Sequence, residues 1–185
     1  MKRGSIFCLL ISLLLLLTSK LGAQGPLPDS FQLRLNGLGA DLIRPVGADF
    51  TVLSAKANRH LPTHFALYSR HEKLEIRYTV FAEAELGPLA GLPHVAVSHL
   101  LLDIGSNDED AFLTMHSYVG ESFNTFGADW AKLFTFRPKR SFCDTAFAQL
   151  VALYREGLGM AYVFLLFDQA PETLDARQLA LRFLR

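Results

Sequence analysis

Two apolar stretches joined by a glycine-containing turn limit the fold of this chain more than any other feature. Residues 147–154 and 160–167 are almost continuously apolar. The segment between them reads Arg-Glu-Gly-Leu-Gly, which predicts a hairpin turn. Strands that lack polar alternation are covered on both faces, or have one face covered by helices. We therefore expect this hairpin at the centre of a sheet.

A second hairpin is predicted at residues 65–81, where strands 65–69 and 74–81 flank the polar segment 70–73. In the second of these strands, apolar and polar side chains alternate with a period of two. The apolar set is Leu74, Ile76, Tyr78 and Val80, and the polar set is Glu75, Arg77 and Thr79. One face of this hairpin should therefore meet the core, and the other should meet water or a ligand.

The remaining segments predict a mixture of strands and helices. Short strands are expected at residues 31–35, 50–53 and 132–136. Helices are expected at 94–104, with Pro93 as the first helical residue, and at 171–184; residues 108–118 fit a helix or a strand. Together they predict an α+β fold: an antiparallel sheet of five to seven strands, with two or three helices packed on one face, including a C-terminal helix.

The first 23 residues have the pattern of a cleaved signal peptide. Lys2 and Arg3 precede an apolar run of 12 residues, 6–17, which is too short for a membrane span of about 20 residues. A polar, small-residue segment follows, and we expect cleavage after Ala23. Residues 24–185 would then be a single globular domain without a transmembrane span, periplasmic or secreted. An uncleaved N-terminal anchor is the alternative.

Charge and cysteine content exclude several classes of protein. Loss of Lys2, Arg3 and Lys20 with the leader leaves 15 basic and 18 acidic residues, a net charge of −3. This balance does not favour a nucleic-acid partner. Cys143 is the one cysteine of the predicted mature chain, so an intramolecular disulfide is excluded. We expect a buried thiol; a reactive or intermolecularly paired thiol is the alternative.

The order of elements resembles that of the photosystem extrinsic subunit PsbP and the bacterial periplasmic DcrB-like proteins. The likeness lies in the last strand running into residues 168–172 and a helix, and in the turn Pro45-Val46-Gly47 before a strand. The resemblance implies an antiparallel sheet with helices packed against it. It also implies a non-enzymatic binding or assembly role. It carries over no functional residue.

Histidine spacing gives little support for a metal site. His60 and His64 are four residues apart, but Pro62 lies between them and disfavours a helix. His94 and His99 are five apart, about 140° around a helix. No local pattern indicates a catalytic residue, a cofactor or a metal, so we expect surface or hydrogen-bonded histidines.

Two segments are candidates for a ligand or partner surface. Residues 120–130 combine aromatic, glycine and short polar side chains, which could line a pocket or plug the sheet. Residues 137–140 carry three cations around a proline, which could hold an anion or form a solvated loop. The candidate residues are Asn124, Asp129, Trp130, Arg137, Lys139 and Arg140.

Three functional hypotheses follow. The first is an exported, non-enzymatic binding or assembly module with an envelope protein as its partner. The second is a carrier of a small apolar ligand, held in a cavity between sheet and helices. The third is a hydrolase whose site is assembled from distant residues, for example a histidine with Asp103 or Asp129.

Overall fold

The computed structural model describes residues 26–47, 49–54 and 58–184. The helices are α1 (Asp29–Leu38), α2 (Pro93–Ile104), α3 (Gly120–Thr125) and α4 (Leu174–Gln178), with a 3₁₀ segment at Glu83–Leu89. The strands are β1 (Ala40–Leu42), β2 (Thr51–Val52), β3 (Phe65–Ser69), β4 (Leu74–Ala82), β5 (Leu113–Ser117), β6 (Trp130–Phe136), β7 (Phe147–Arg155), β8 (Gly159–Phe167) and β9 (Leu181–Phe183). Strands β2 to β8 form one antiparallel sheet in the order β2-β3-β4-β8-β7-β6-β5.

Both predicted hairpins are confirmed, and the apolar one lies at the centre of the sheet. Strand β8 is hydrogen-bonded between β4 and β7, and all nine of its residues are buried. Successive side chains of a strand point to opposite faces, so β8 must be covered on both sides. This requirement explains why its sequence lacks polar alternation.

The two faces of the sheet carry different helices. On the first, here called the α1 face, Val163 of β8 belongs to the same core cluster as Leu35 of α1 and Leu174 of α4. On the second, the α2 face, Phe164 packs in a cluster with Ile104 of α2. The α+β class and the antiparallel sheet are confirmed. The expectation that the helices share one face is corrected, because a central strand that is apolar on both sides needs a cover on each.

The predicted strand at residues 31–35 is wrong: these residues belong to α1. Phe31, Leu35 and Leu38 are spaced by four and three residues and are almost fully buried, as one face of a helix requires. Gly39 ends the helix with a φ of 58°, a left-handed conformation that glycine adopts without strain. An apolar–polar alternation over only five residues does not distinguish a strand from one face of a helix.

The C-terminal helix is confirmed but shorter than the expected 171–184. It spans Leu174–Gln178, and the chain then forms β9, which pairs with β1 in a separate two-stranded sheet. Leu181 and Phe183 are buried while Arg182 between them is exposed, which is the alternation of a strand. The ambiguous segment 108–118 contains strand β5, so its strand alternative is the one found.

Helix α2 follows the prediction. It begins at Pro93 and ends before Gly105, and it buries Val97, Leu100, Leu101 and Ile104. None of the helices in the described ranges combines the length and the apolar character needed to cross a membrane. The predicted leader, residues 1–23, lies outside the described residues.

Candidate functional site

The six candidate surface residues form two groups at opposite ends of strand β6. Asn124, Asp129 and Trp130 lie at or before its first residue, whereas Arg137, Lys139 and Arg140 follow its last. A strand of seven residues is about 20 Å long. One small ligand therefore cannot contact both groups.

The first group has structural contacts. The Asp129 carboxylate accepts the backbone N–H of Glu156 at 2.8 Å and so holds the turn between β7 and β8. Trp130 is partly buried against the core of the α2 face. Asn124 is exposed and lines a depression of about 240 Å³.

The second group lies in a mixed-charge environment. Arg137 forms an ion pair with Asp110, and Lys139 donates to two backbone carbonyls at the end of α2. Arg140 is exposed. The surrounding depression, of about 660 Å³, is also lined by three carboxylates: Asp108, Asp144 and Asp168. The local positive charge is therefore balanced.

Among the residues that the structure describes, strand β5 is an open edge of the sheet. It pairs with β6 on one side, and all five of its residues are exposed. Its sequence, Leu-Thr-Met-His-Ser, contains no lysine, carboxylate or proline. Edge strands in natural proteins are commonly protected by such residues, by bulges or by short length. The opposite edge, β2, is only two residues long. The β5 edge lacks these protections and can accept a further strand.

The β5–β6 register fixes which backbone groups of β5 are free. The N–H of Arg137 donates to the carbonyl of Phe112, so residues 112 and 137 are a hydrogen-bonded pair. Bonded and non-bonded pairs alternate along an antiparallel ladder. With Leu113 opposite Phe136, residues 114 and 116 therefore bond to β6. The N–H and C=O groups of Leu113, Met115 and Ser117 point to the open edge.

An apolar groove runs beside this edge on the α2 face. It has a volume of about 600 Å³, and its walls come from β5, β6 and helix α2. Three of its large apolar side chains face solvent: Leu102 is 74% exposed, Leu113 57% and Met115 59%. Phe134 and Phe136 of β6 also line it and join it to the core of the α2 face. We call this surface the β5 groove.

A single cation stands beside the β5 groove without a carboxylate partner among the described residues. The ammonium group of Lys132, opposite Ser117, contacts the Met115 sulfur at 3.4 Å. A thioether is only a weak acceptor, so the charge of Lys132 remains available to an acidic group. This end of the edge therefore favours a negatively charged neighbour.

His60 and His64, which are four residues apart, have different hydrogen-bond partners. His64 accepts the backbone N–H of Val80 at its Nδ1 atom, 3.1 Å away, whereas His60 contacts Asp103 and Ser141. Within the described ranges, no three His, Cys, Asp or Glu side chains are close enough to hold a metal ion.

Cys143 is buried, as the sequence predicts. Its sulfur lies 3.2 Å from the hydroxyl of Thr145. Burial raises the pKa of the Cys143 thiol, which disfavours the nucleophilic thiolate. This environment is that of an inert thiol.

Comparison with protein-family models, with curated proteins and with solved structures finds no match to this chain.

Proposed function

We propose that this chain is an exported binding or assembly module that receives an extended segment of a partner protein at the β5 groove. In this mode, a peptide adds a strand to an open sheet edge. Its backbone bonds to the edge, and alternate side chains enter a neighbouring pocket. The export component of the proposal rests on the leader pattern of residues 1–23.

The unprotected edge of β5 carries this proposal. Leu113, Met115 and Ser117 present free backbone groups to the same side, and the side chains of Leu113 and Met115 line one apolar groove. An incoming strand has the complementary row of donors and acceptors. A free apolar molecule would fill the groove but would leave those backbone groups unpaired.

The chemistry of the surface specifies the partner segment. Its side chains at alternate positions should be apolar, because they would contact Leu102, Leu113 and Met115. An acidic side chain should lie near Lys132, whose ammonium group contacts only a thioether among the described residues. An envelope protein with such an exposed strand or tail is the partner that we expect, in keeping with the role implied by the likeness to PsbP and DcrB-like proteins.

Binding of a synthetic peptide tests this proposal. The probe is a fluorescent decapeptide of alternating valine and threonine with one aspartate near an end, measured by fluorescence anisotropy. Met115→Lys should weaken binding at least about tenfold, because a charge would enter the apolar groove. Lys132→Ala should weaken binding of this peptide but not of its asparagine analogue.

Leu33→Lys is the matched control, since Leu33 is 70% exposed on helix α1, away from the groove. It should bind like the wild type. An equal loss of peptide affinity in Met115→Lys and Leu33→Lys would contradict the proposal. Absence of peptide binding by the wild type would contradict it too. A concentration-dependent dimer closed through β5 would show that a second copy occupies the edge. Displacement of the peptide by a fatty acid without any backbone pairing would favour the apolar carrier instead.

A further inference from the structure

A serine, a histidine and an aspartate from three separate segments meet beside helix α2. His60 lies between β2 and β3, Asp103 is near the end of α2, and Ser141 lies between β6 and β7. The His60 Nδ1 atom is 3.0 Å from Asp103 Oδ2, and its Nε2 atom is 2.9 Å from Ser141 Oγ. The His60 side chain is only 7% exposed.

The partners of the neutral His60 ring fix its tautomer. An ionised carboxylate can only accept, so Nδ1 carries the proton that is donated to Asp103. The Arg59 guanidinium can only donate, and its Nε atom lies 3.2 Å from His60 Nε2. Nε2 is therefore an acceptor, and its one lone pair faces two donors, the Arg59 Nε–H and the Ser141 hydroxyl. This chain of hydrogen bonds has the order that activates a serine nucleophile.

Hydrogen bonds from two further side chains hold the three segments together. Asn58 donates to the carbonyl of Phe142 at 3.0 Å and accepts the backbone N–H of His60 at 2.9 Å. The Lys139 ammonium group donates to the carbonyls of Leu102 and Asp103, each at 2.9 Å. The loop of His60 and the end of α2 are thus both tied to the turn that carries Ser141.

A pocket for an acyl group opens next to these residues. His60 and Asp103 line a cavity of about 420 Å³. Most of its other walls are apolar, and they include Leu61, Phe81, Leu86, Leu89 and Leu100. Ser141 itself is exposed and lines the adjoining polar depression. A substrate could therefore place a short apolar acyl chain in the pocket and its ester bond at Ser141.

We infer that Ser141, His60 and Asp103 form a site that hydrolyses esters of short apolar acids, an activity that goes beyond partner binding. The Ser141 oxygen attacks the ester carbonyl carbon while its proton passes to His60 Nε2. The ester C–O bond then breaks, and the departing alcohol takes that proton. Asp103 is a positioning residue that holds the ring and stabilises its charged form. Arg59 Nε–H donates to the same Nε2 atom and must move off it before the serine proton can pass.

Water completes the reaction. It attacks the acyl group on Ser141 and gives a proton to His60 Nε2, and the acyl–oxygen bond of Ser141 breaks. The serine recovers its proton from the histidine, and the carboxylic acid leaves. No external oxidant, reductant or metal takes part in this balance.

Hydrolysis of p-nitrophenyl butyrate and labelling by a fluorophosphonate test the inference on the purified protein. Ser141→Ala should lower kcat/KM at least about 100-fold and abolish labelling, because it removes the nucleophile. Peptide mass spectrometry of the labelled wild type should place the probe on Ser141. Asp103→Asn should lower kcat with little change in KM, because it disturbs the tautomer rather than the pocket.

Ser98→Ala is the matched control, since Ser98 is an exposed serine of α2 whose hydroxyl donates to the carbonyl of His94. It should keep the wild-type rate and labelling. Thermal melting checks that each variant is folded. Absence of label from Ser141 in the folded wild type, or equal rates for the wild type and Ser141→Ala, would overturn the inference. Peptide binding at the β5 groove is measured separately and does not depend on this outcome.

Discussion

Tyr78 lies at the centre of the α1 face with a hydroxyl group that has no hydrogen-bond partner among the described residues. Its ring packs against the rings of Phe31 and Phe65, which stack on each other, and burial raises the pKa of its phenol. A buried polar group without a partner costs free energy in the folded state. The packing of this aromatic ring, rather than its hydroxyl group, therefore stabilises the fold.

Tyr78→Phe should raise the free energy of unfolding by about 1 kcal/mol, because it removes the unpaired hydroxyl and keeps the ring. Urea denaturation measures the change. Tyr154→Phe is the control: the Tyr154 hydroxyl donates to Glu83 at 2.9 Å, so its removal should destabilise the protein. An equal loss of stability in both variants would contradict this account of Tyr78.

His64 should make stability depend on pH in the weakly acidic range. Burial, with a smaller effect of Arg34, lowers the pKa of His64 below 6.5, and its Nδ1 atom accepts the Val80 N–H. The unfolded chain therefore takes up a proton at a higher pH than the folded chain does. The stabilisation is complete above about pH 6.5 and is lost as the pH falls through and below that value.

Urea denaturation at about pH 7.5 and pH 5.5 checks this prediction. His64→Gln should lose less stability than the wild type over that interval. His94→Gln, which replaces an exposed histidine, should behave like the wild type. A wild-type pH dependence that His64→Gln leaves unchanged would refute the role of His64.

The serine–histidine–aspartate group shows what sequence reasoning misses at the residue scale. Asp103 could be named beforehand as a partner for a histidine, but nothing along the chain selected His60 or Ser141. The three residues meet because a loop, a helix end and a turn converge in space. No local sequence motif predicts that residues so far apart in the chain lie close together. Lys139, a candidate for a ligand or partner surface, donates to two carbonyls at the end of α2 and so ties these segments together.

At the scale of elements, a buried ion pair fixes helix α4 against the β3–β4 turn. Arg177 and Glu72 form a bidentate contact at 2.5 and 3.1 Å, and both side chains are less than 10% exposed. Arg177 also donates to the carbonyl of Val46 and stacks over the ring of Phe50. The pair therefore connects four segments of the chain.

Arg177→Met should destabilise the protein by about 3–5 kcal/mol, because it leaves the Glu72 carboxylate buried without a partner. Adding Glu72→Met to this variant should restore much of the lost stability. Arg182→Met is the control, since its pair with Asp41 is about half exposed, and it should cost less than about 1 kcal/mol. Urea denaturation would contradict the account if the double variant were no more stable than Arg177→Met.

The sequence predicts long elements better than short ones, for a physical reason. Strands β4, β7 and β8 have nine residues each, so their apolar patterns distinguish a strand from a helix. Residues 31–35 are too few to distinguish a strand from a helix. Leu38, which shares the buried face of α1 with Phe31 and Leu35, lies outside this segment. The strand β9 is defined by its pairing with β1, a contact with residues about 140 positions away in the chain.

At the scale of the whole molecule, export is a prediction that the N-terminus can test. If residues 1–23 are a cleaved leader, protein isolated from its own cell envelope should have Gln24 as its first residue. Intact mass and N-terminal sequencing measure this directly. A chain that retains residues 1–23 would instead support the N-terminal anchor.

The β5 groove depends on the order of strands in the sheet, which no short segment of the sequence determines. Alternation of Leu113 and Met115 could suggest a strand, but only the order of the sheet makes that strand an edge. The β5 edge differs from the central strand of the sheet in its exposure and from the opposite edge in its length. The central strand β8 is buried along its whole length, and the opposite edge strand, β2, has only two residues.

Amide hydrogen exchange of β5, followed by NMR with and without the valine–threonine peptide, tests the proposed binding mode most directly. In the free protein, the amides of Thr114 and His116 should exchange slowly, and those of Leu113, Met115 and Ser117 rapidly. Addition of peptide should slow exchange at the second set, because those N–H groups would then bond to the added strand. Rapid exchange that persists at all three while the peptide is bound would contradict strand addition at the β5 groove.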